Sequence, residues 1–157
     1  YMHYSYLLDY TVEVFVVNNG KVLLRHHEKY NTWLGVGGHV DPGETPVDTA
    51  HREVMEEVGL KIELLSSQPL AKDLDVKYSP VEMPIAINRH NIAGQHDHLT
   101  FVYAAAANTA DLLVPDGPEG AAECRWFTDS ELDDDLDGLS STVKSYARAA
   151  LARASQE

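Results

Sequence analysis

The chain has 157 residues, 44% apolar and 24% charged, and its 25 Asp and Glu against 12 Lys and Arg leave a formal net charge of −13. That size and composition read as one globular domain, residues 1–157, able to bury a core without metal or disulfide staples. A surface this acidic repels polyphosphate backbones and anionic bilayers, which excludes long nucleic acid and the membrane as general partners.

In chain order, Thr11 to Val17 alternates Val12, Val14 and Val16 against Thr11, Glu13 and Phe15, and Lys21 to Arg25 is a second short apolar segment. Asn18, Asn19 and Gly20 between them suit a tight turn, so the pair reads as a β-hairpin. Residues 26–45, with Gly35, Gly37, Gly38, Gly43 and many polar side chains, read as a long functional loop. A helix is expected from Pro46, a good first-turn residue, to Gly59, a natural terminator, with Ala50, Val54 and Val58 as its apolar stripe. Segments 61–66, 69–78, 83–89 and 98–107 read as strands, and Ala121 to Phe127 as a last one. Thr128 with Glu131 carries a capping-box signature for a short acidic helix, and Leu139, Val143, Tyr146, Ala147, Ala150 and Leu151 line one face of a terminal helix. Strands interrupted by a central and a terminal helix predict an α/β/α sandwich around a mixed sheet.

The longest apolar run, Phe101 to Ala107, falls far short of the roughly 20 residues of a membrane span. No basic stretch precedes an apolar one near the start, so no signal peptide is expected. The lone cysteine, Cys124, has no intrachain partner, and a reducing cytoplasm is the expected compartment.

The chemistry concentrates in Gly38-His-Val-Asp-Pro-Gly-Glu44 and, seven residues later, Arg52-Glu53-Val-Met-Glu56-Glu57-Val-Gly59-Leu60. On a helix Glu57 lies about 40° from Glu53, and Glu56 about 60° to its other side, so three carboxylates crowd one face. Like charges so placed repel, and the crowding makes sense if hard divalent cations sit among them; oxygen donors favour magnesium or manganese. Gly35, Gly37 and Gly38 allow close backbone approach, and Arg52 is within reach of Glu44 or Glu56 for a bidentate grip.

These residues match the Nudix box of the Nudix (MutT-like) hydrolases at all nine fixed positions over 23 residues: Gly38, Glu44, Arg52, Glu53, Val54, Glu56, Glu57, Gly59 and Leu60. The flanks also resemble the family, with Trp33 before the glycines and Ala122-Glu-Cys-Arg-Trp126-Phe late in the chain; Val36 stands where many members carry proline. The resemblance implies Mg2+- or Mn2+-dependent hydrolysis of a nucleoside diphosphate linked to another moiety, by water attack at phosphorus. It implies metal ligation by Glu53, Glu56 and Glu57 with the Gly38 carbonyl, and orientation of the acids by Arg52. Glu53 is the first choice of general base. Glu119 resembles the late-loop acid that some members add to the metal cluster, with Glu123 as its substitute and an ordinary loop carboxylate as the plain reading.

The substrate is less legible. Tyr78, 18 residues beyond Leu60, resembles the tyrosine marker of dinucleoside polyphosphate hydrolases, although simple packing explains it as well. Ser67-Gln68-Pro69 starts like an NADH pyrophosphatase signature that then fails, and Asp75 stands where ADP-ribose pyrophosphatases carry proline. Tyr30 or Trp33 is placed to stack on a base, with Trp33 equally suited to anchor the core. His96 and His98 would share one strand face, there to contact phosphate, to close the site or merely to be solvated. Small nucleotides are thus the expected ligands; a homodimer agrees with the family, and no segment announces an interface. Two other readings are a non-catalytic Nudix ligand sensor, which should have lost glutamates, and an isopentenyl-diphosphate-isomerase-like enzyme, which would need a cysteine better placed than Cys124.

Overall fold

A strand that is apolar on both faces needs a cover on both, and β1 (Leu8–Asn18) has one. The computed structural model describes residues 8–65, 77–92, 94, 96–114 and 123–156. In it Val12, Val14 and Val16 pack with Ala50, Val54 and Val58 of the central helix, while Phe15 and Val17 pack with Val143, Ala147 and Ala150 of the terminal one. The elements after β1 are β2 (Lys21–His27), β3 (Thr32–Leu34), β4 (Val36–His39), α1 (Pro46–Val58), β5 (Ile62–Leu64), β6 (Ala86–Ile92), β7 (His96–Ala107), β8 (Cys124–Phe127) and α2 (Ser141–Ala154). Short 3-10 turns occupy Glu28–Tyr30 and Ser130–Asp133.

The sheet runs β3-β2-β1-β7-β5, with β4 on β1, β6 on β7 and β8 on β2. β1 and β7 are parallel from Leu8 opposite Asp97 to Val17 opposite Ala106. The other pairings among the described residues are antiparallel. This is the expected mixed sheet between two helices. The hairpin turn is also as expected: Asn19 and Gly20 both take positive φ, 47° and 73°, the geometry that lets a two-residue turn follow the strand twist.

One edge of β1 serves two partners. Near its end Val17 and Asn18 pair with β2, and near its start Thr11 to Val14 pair with β4. The sheet therefore splits between β2 and β4. Helix α2 covers the Phe15 end of β1, so the part of that face that carries Thr11 and Glu13 is free to form the floor of a cleft.

Several expectations change in detail. Residues 26–45 are not one loop: β3 and β4 lie within them, because backbone pairing with β2 and β1 overrides the low strand propensity of Gly37, Gly38 and the polar neighbours. Gly37 is needed there, since a Cβ on it would stand 2.0 Å from the Val12 carbonyl oxygen. The strand expected over 83–89 begins at Ala86, after Pro84, and runs to Ile92; that expected at 98 begins at His96. Of the expected strand 69–78, Lys77 and Tyr78 are not in a strand and the rest lies outside the described residues. Thr128 and Glu131 exchange the bonds of a capping box, with Thr128 N–H donating to Glu131 at 2.8 Å, but the helix they start is a 3-10 turn.

Candidate active site

Helix α1 sets the site. Thr45 and Asp48 cap it reciprocally, the Asp48 N–H donating to the Thr45 hydroxyl at 3.2 Å and the Thr45 N–H to the Asp48 carboxylate at 2.9 Å. Gly59, at φ 70°, ends it. Full burial of Val54 and Val58, which stabilises by about 1.5–3 kcal/mol per side chain, fixes its rotation on the sheet. Glu53 and Glu57 then turn toward β4, with side chains 14% and 18% exposed, while Glu56 stays 60% exposed at the margin. Gly38 on β4 faces Glu53 so closely that a side chain there would overlap its carboxylate.

Arg52 ties the acids together. Its Nε and Nη2 grip the two oxygens of Glu44 at 2.7 and 2.9 Å, its Nη1 donates to Glu53 at 2.8 Å and to Glu56 at 3.2 Å, and Nη2 also reaches the His39 carbonyl at 3.0 Å. Both partners expected for Arg52 are thus present. Hydrogen bonds from Arg52 and then Thr49 hold the Glu44 carboxyl down at about 2, so it stays an anion. Glu57 accepts from the Arg25 guanidinium and, at 3.4 Å, from the Gly37 N–H.

Glu53 and Glu57 stand in the wall of a cleft of about 1050 Å³ at the split of the sheet. Arg25, Glu13, Tyr30, Gly38, His39, His90 and His98 line it with them. The NUDIX domain profile matches residues 8–148, nearly the whole of the chain.

The chain belongs to the Nudix hydrolase family.

Solved structures resemble it along most of its length. A NUDIX-family hydrolase from Clostridium perfringens is 26% identical with a TM-score of 0.77, the match covering 92% of this chain and 96% of that one. A MutT NUDIX hydrolase from Burkholderia pseudomallei, 23% identical, shares the fold at a TM-score of 0.61 over 94% of this chain and 98% of its own. A UDP-X diphosphatase, 17% identical, shares it at 0.60 over 96% of this chain and 64% of its own. Members of the Nudix family cleave nucleoside diphosphates linked to another moiety, and this chain is a hydrolase of that family.

The remaining Nudix candidates divide. Tyr30 reaches the cleft, half-exposed, its ring 4.8 Å from that of His27. Trp33 is a core anchor: it is 3% exposed, with its ring 5.3 Å from Phe127 edge-on and 5.1 Å from His26. Burial leaves it no face for a base. Tyr78 is 67% exposed and outside the cleft lining. His96 and His98 do share a face, but their rings turn toward one another, 5.0 Å apart, and toward Asp9 and His39. Burial and the neighbouring histidines hold His98 below the usual histidine range. Glu119 lies outside the described residues; Glu123 is exposed, its carbonyl accepting from the His26 N–H. Cys124 sits beside Arg25 in the sheet, and burial raises its thiol above the usual range, unlike an activated cysteine.

Arg25 and Glu13 are among the cleft residues that the sequence alone did not single out. Arg25 follows Leu23 at the two-residue period of β2, so it emerges on the α1 side of the sheet against Glu57. Glu13 continues the Thr11 face of β1 and accepts from the Gly35 N–H at 2.9 Å, while burial raises its carboxyl. The alternation itself was the available signal for both.

Proposed function

We propose that this chain is a divalent-metal-dependent pyrophosphohydrolase for a small nucleotide, such as a nucleoside triphosphate, a nucleotide sugar or a dinucleoside polyphosphate. The observation that carries it is the convergence of Glu53 and Glu57 on the cleft beside Gly38, with Arg52 clamped to Glu44 behind them. The donors are hard oxygens, and the missing Cβ of Gly38 leaves its place to the Glu53 carboxylate, so the residues fit Mg2+ or Mn2+. Glu53, Glu56, Glu57 and the Gly38 carbonyl would hold the ion. Bound there, it supplies charge neutralisation for the pyrophosphate and acidifies a water molecule.

The chain's own residues account for the remaining roles. Glu53 accepts the proton of the attacking water as its oxygen bonds to phosphorus and the bridging P–O bond breaks, its electron pair leaving with the bridging oxygen. Arg52 is a positioning residue that holds the acids against their mutual repulsion. Arg25, through its pairing with Glu57, brings a positive charge into the cleft for the phosphates. Tyr30 offers its exposed ring for stacking on the base. The family match along residues 8–148 supports a single domain, and the lone cysteine supports a cytoplasmic setting.

The test is a panel of nucleoside triphosphates, oxidised nucleotides, ADP-ribose, nucleotide sugars and dinucleoside polyphosphates, assayed with Mg2+ for the wild type and Glu57→Gln. Turnover of at least one compound, lost by orders of magnitude in the variant, is expected. Equal turnover by the variant would overturn the assignment of Glu57.

A further inference from the structure

The tightest group of metal-type donors among the described residues is not the glutamates of α1. It lies on the Thr11 face of β1, bordering the cleft that His39 and His98 line, where the strand register collects Asp9, His39, His96 and His98. Asp9 of β1 stands opposite His98 of β7, and His96 is two residues back on the same face. His39 of β4 stands opposite Thr11, two residues on from Asp9. Three strands thus contribute to one point, and one ligand atom from each of the four residues lies within 4.8 Å of every other.

The shortest spacings are close to those of a coordination sphere. His96 Nε2 is 3.1 Å from His98 Nε2 and 3.3 Å from Asp9 Oδ2, and His39 Nε2 is 3.6 Å from the same Asp9 oxygen. Four ligands on a tetrahedral zinc ion lie about 3.3 Å apart, given bonds of about 2.0–2.1 Å. Hydrogen bonding alone serves this group poorly. A neutral imidazole nitrogen carries at most one proton, so His96 Nε2 cannot donate along both its His98 and Asp9 contacts. A cation at the centre would take one lone pair from each of the four ligand atoms at once.

We infer that Asp9, His39, His96 and His98 form a second metal site, which takes a divalent transition-metal ion of the zinc type. Three imidazoles and a carboxylate are intermediate donors that suit zinc rather than magnesium. Four protein ligands close the coordination sphere, so the ion clips β1, β4 and β7 together and does no chemistry itself. The neighbouring His90 is engaged elsewhere: its Nδ1 pairs with Asn88 Oδ1 at 2.9 Å while its ring meets that of His98 edge-on. The inference goes beyond the hydrolase reading and does not depend on it.

The test uses metal-free protein without an affinity tag, titrated with Zn2+ by calorimetry and with Co2+ by visible absorption. One equivalent of Zn2+ with the intense bands of tetrahedral Co2+ is expected in the wild type and in Glu53→Gln/Glu57→Gln alike. His96→Ala and His98→Ala should each weaken Zn2+ binding by at least about tenfold, since loss of even an outer hydrogen-bond partner of a metal ligand costs about 10–100-fold. Zn2+ should raise the melting temperature of the wild type and the glutamate variant, not of the histidine variants. If the alanine variants lose their circular dichroism, Asp9→Asn and His39→Gln, at side chains 42% and 59% exposed, make the same test. Absence of Zn2+ binding, binding that survives loss of the histidines, or binding lost with the glutamates would each overturn the site.

Discussion

Gly38 and Glu53 interlock across the gap between β4 and α1: a Cβ on the glycine would stand 2.3 Å from Glu53 Oε1 and 2.6 Å from its carboxyl carbon. The helix and the strand are held by the core, so the carboxylate has to yield. Gly38→Ala is therefore expected to push Glu53 aside by about an ångström and lower kcat/KM by about a hundredfold, the usual cost of such a misplacement. Helical content should be unchanged by circular dichroism. Wild-type turnover in Gly38→Ala would show that the position of Glu53 does not matter.

Arg52 makes five contacts that a lysine cannot reproduce with its single ammonium. Arg52→Lys is expected to weaken Mg2+ binding by about 10–100-fold, the cost of losing a partner that orients ligands. The assay is the Mg2+ concentration at half-maximal turnover. An unchanged value would show that the guanidinium has no part in ordering the acids.

The carboxyl of Glu44 carries a pH dependence of stability. Its folded pKa of about 2 lies below its ordinary value of 4.5, so the unfolded chain takes up this proton first as the pH falls. The stabilisation is fully present above pH 4.5 and disappears progressively toward pH 2. Glu44→Gln should flatten the fall in melting temperature across that window relative to wild type. Parallel curves for the two proteins would refute the linkage.

Burial separates the two aromatic residues singled out near the glycines. Trp33→Ala, which empties a core position, should lower stability by about 3–5 kcal/mol. Tyr30→Ala, at an exposed ring, should leave the melting temperature in place and raise KM. A Trp33 variant as stable as wild type, or a Tyr30 variant with unchanged KM, would reverse these assignments.

Mg2+ should also stabilise the folded chain, by about 2.7 kcal/mol at a hundred times its dissociation constant, because the convergent carboxylates exist only in the folded state. Thermal melts with and without Mg2+ measure it. Glu57→Gln should reduce the gain, and a wild type without any shift would speak against ligation by α1.

Helix α1 was readable in advance because its signals agree: Pro46 at the start, Gly59 at the end, and Ala50, Val54 and Val58 between them. The residues that line one side of the cleft were not, for a physical reason. Arg25 and Glu13 belong to strands, and which strand neighbours which is decided by pairings remote in sequence. Nothing local to His39, beside Gly38, points to other histidines, and only the meeting of β1, β4 and β7 puts it among them. Trp33 had two readings that nothing local separates; its contact with Phe127, on β8, decides between them.

The parallel pairing of β1 with β7 has a consequence for the order of assembly. Thr11 and Thr100, whose hydroxyls meet at 2.7 Å, are 89 residues apart in sequence. Contacts so remote repay the entropy of closing the chain only late, and they slow folding. The hairpin and α1 can form from local signals, but the floor of the cleft exists only after β7 has reached β1. A partly folded chain would thus hold the box helix intact and still have no pocket in which to use it.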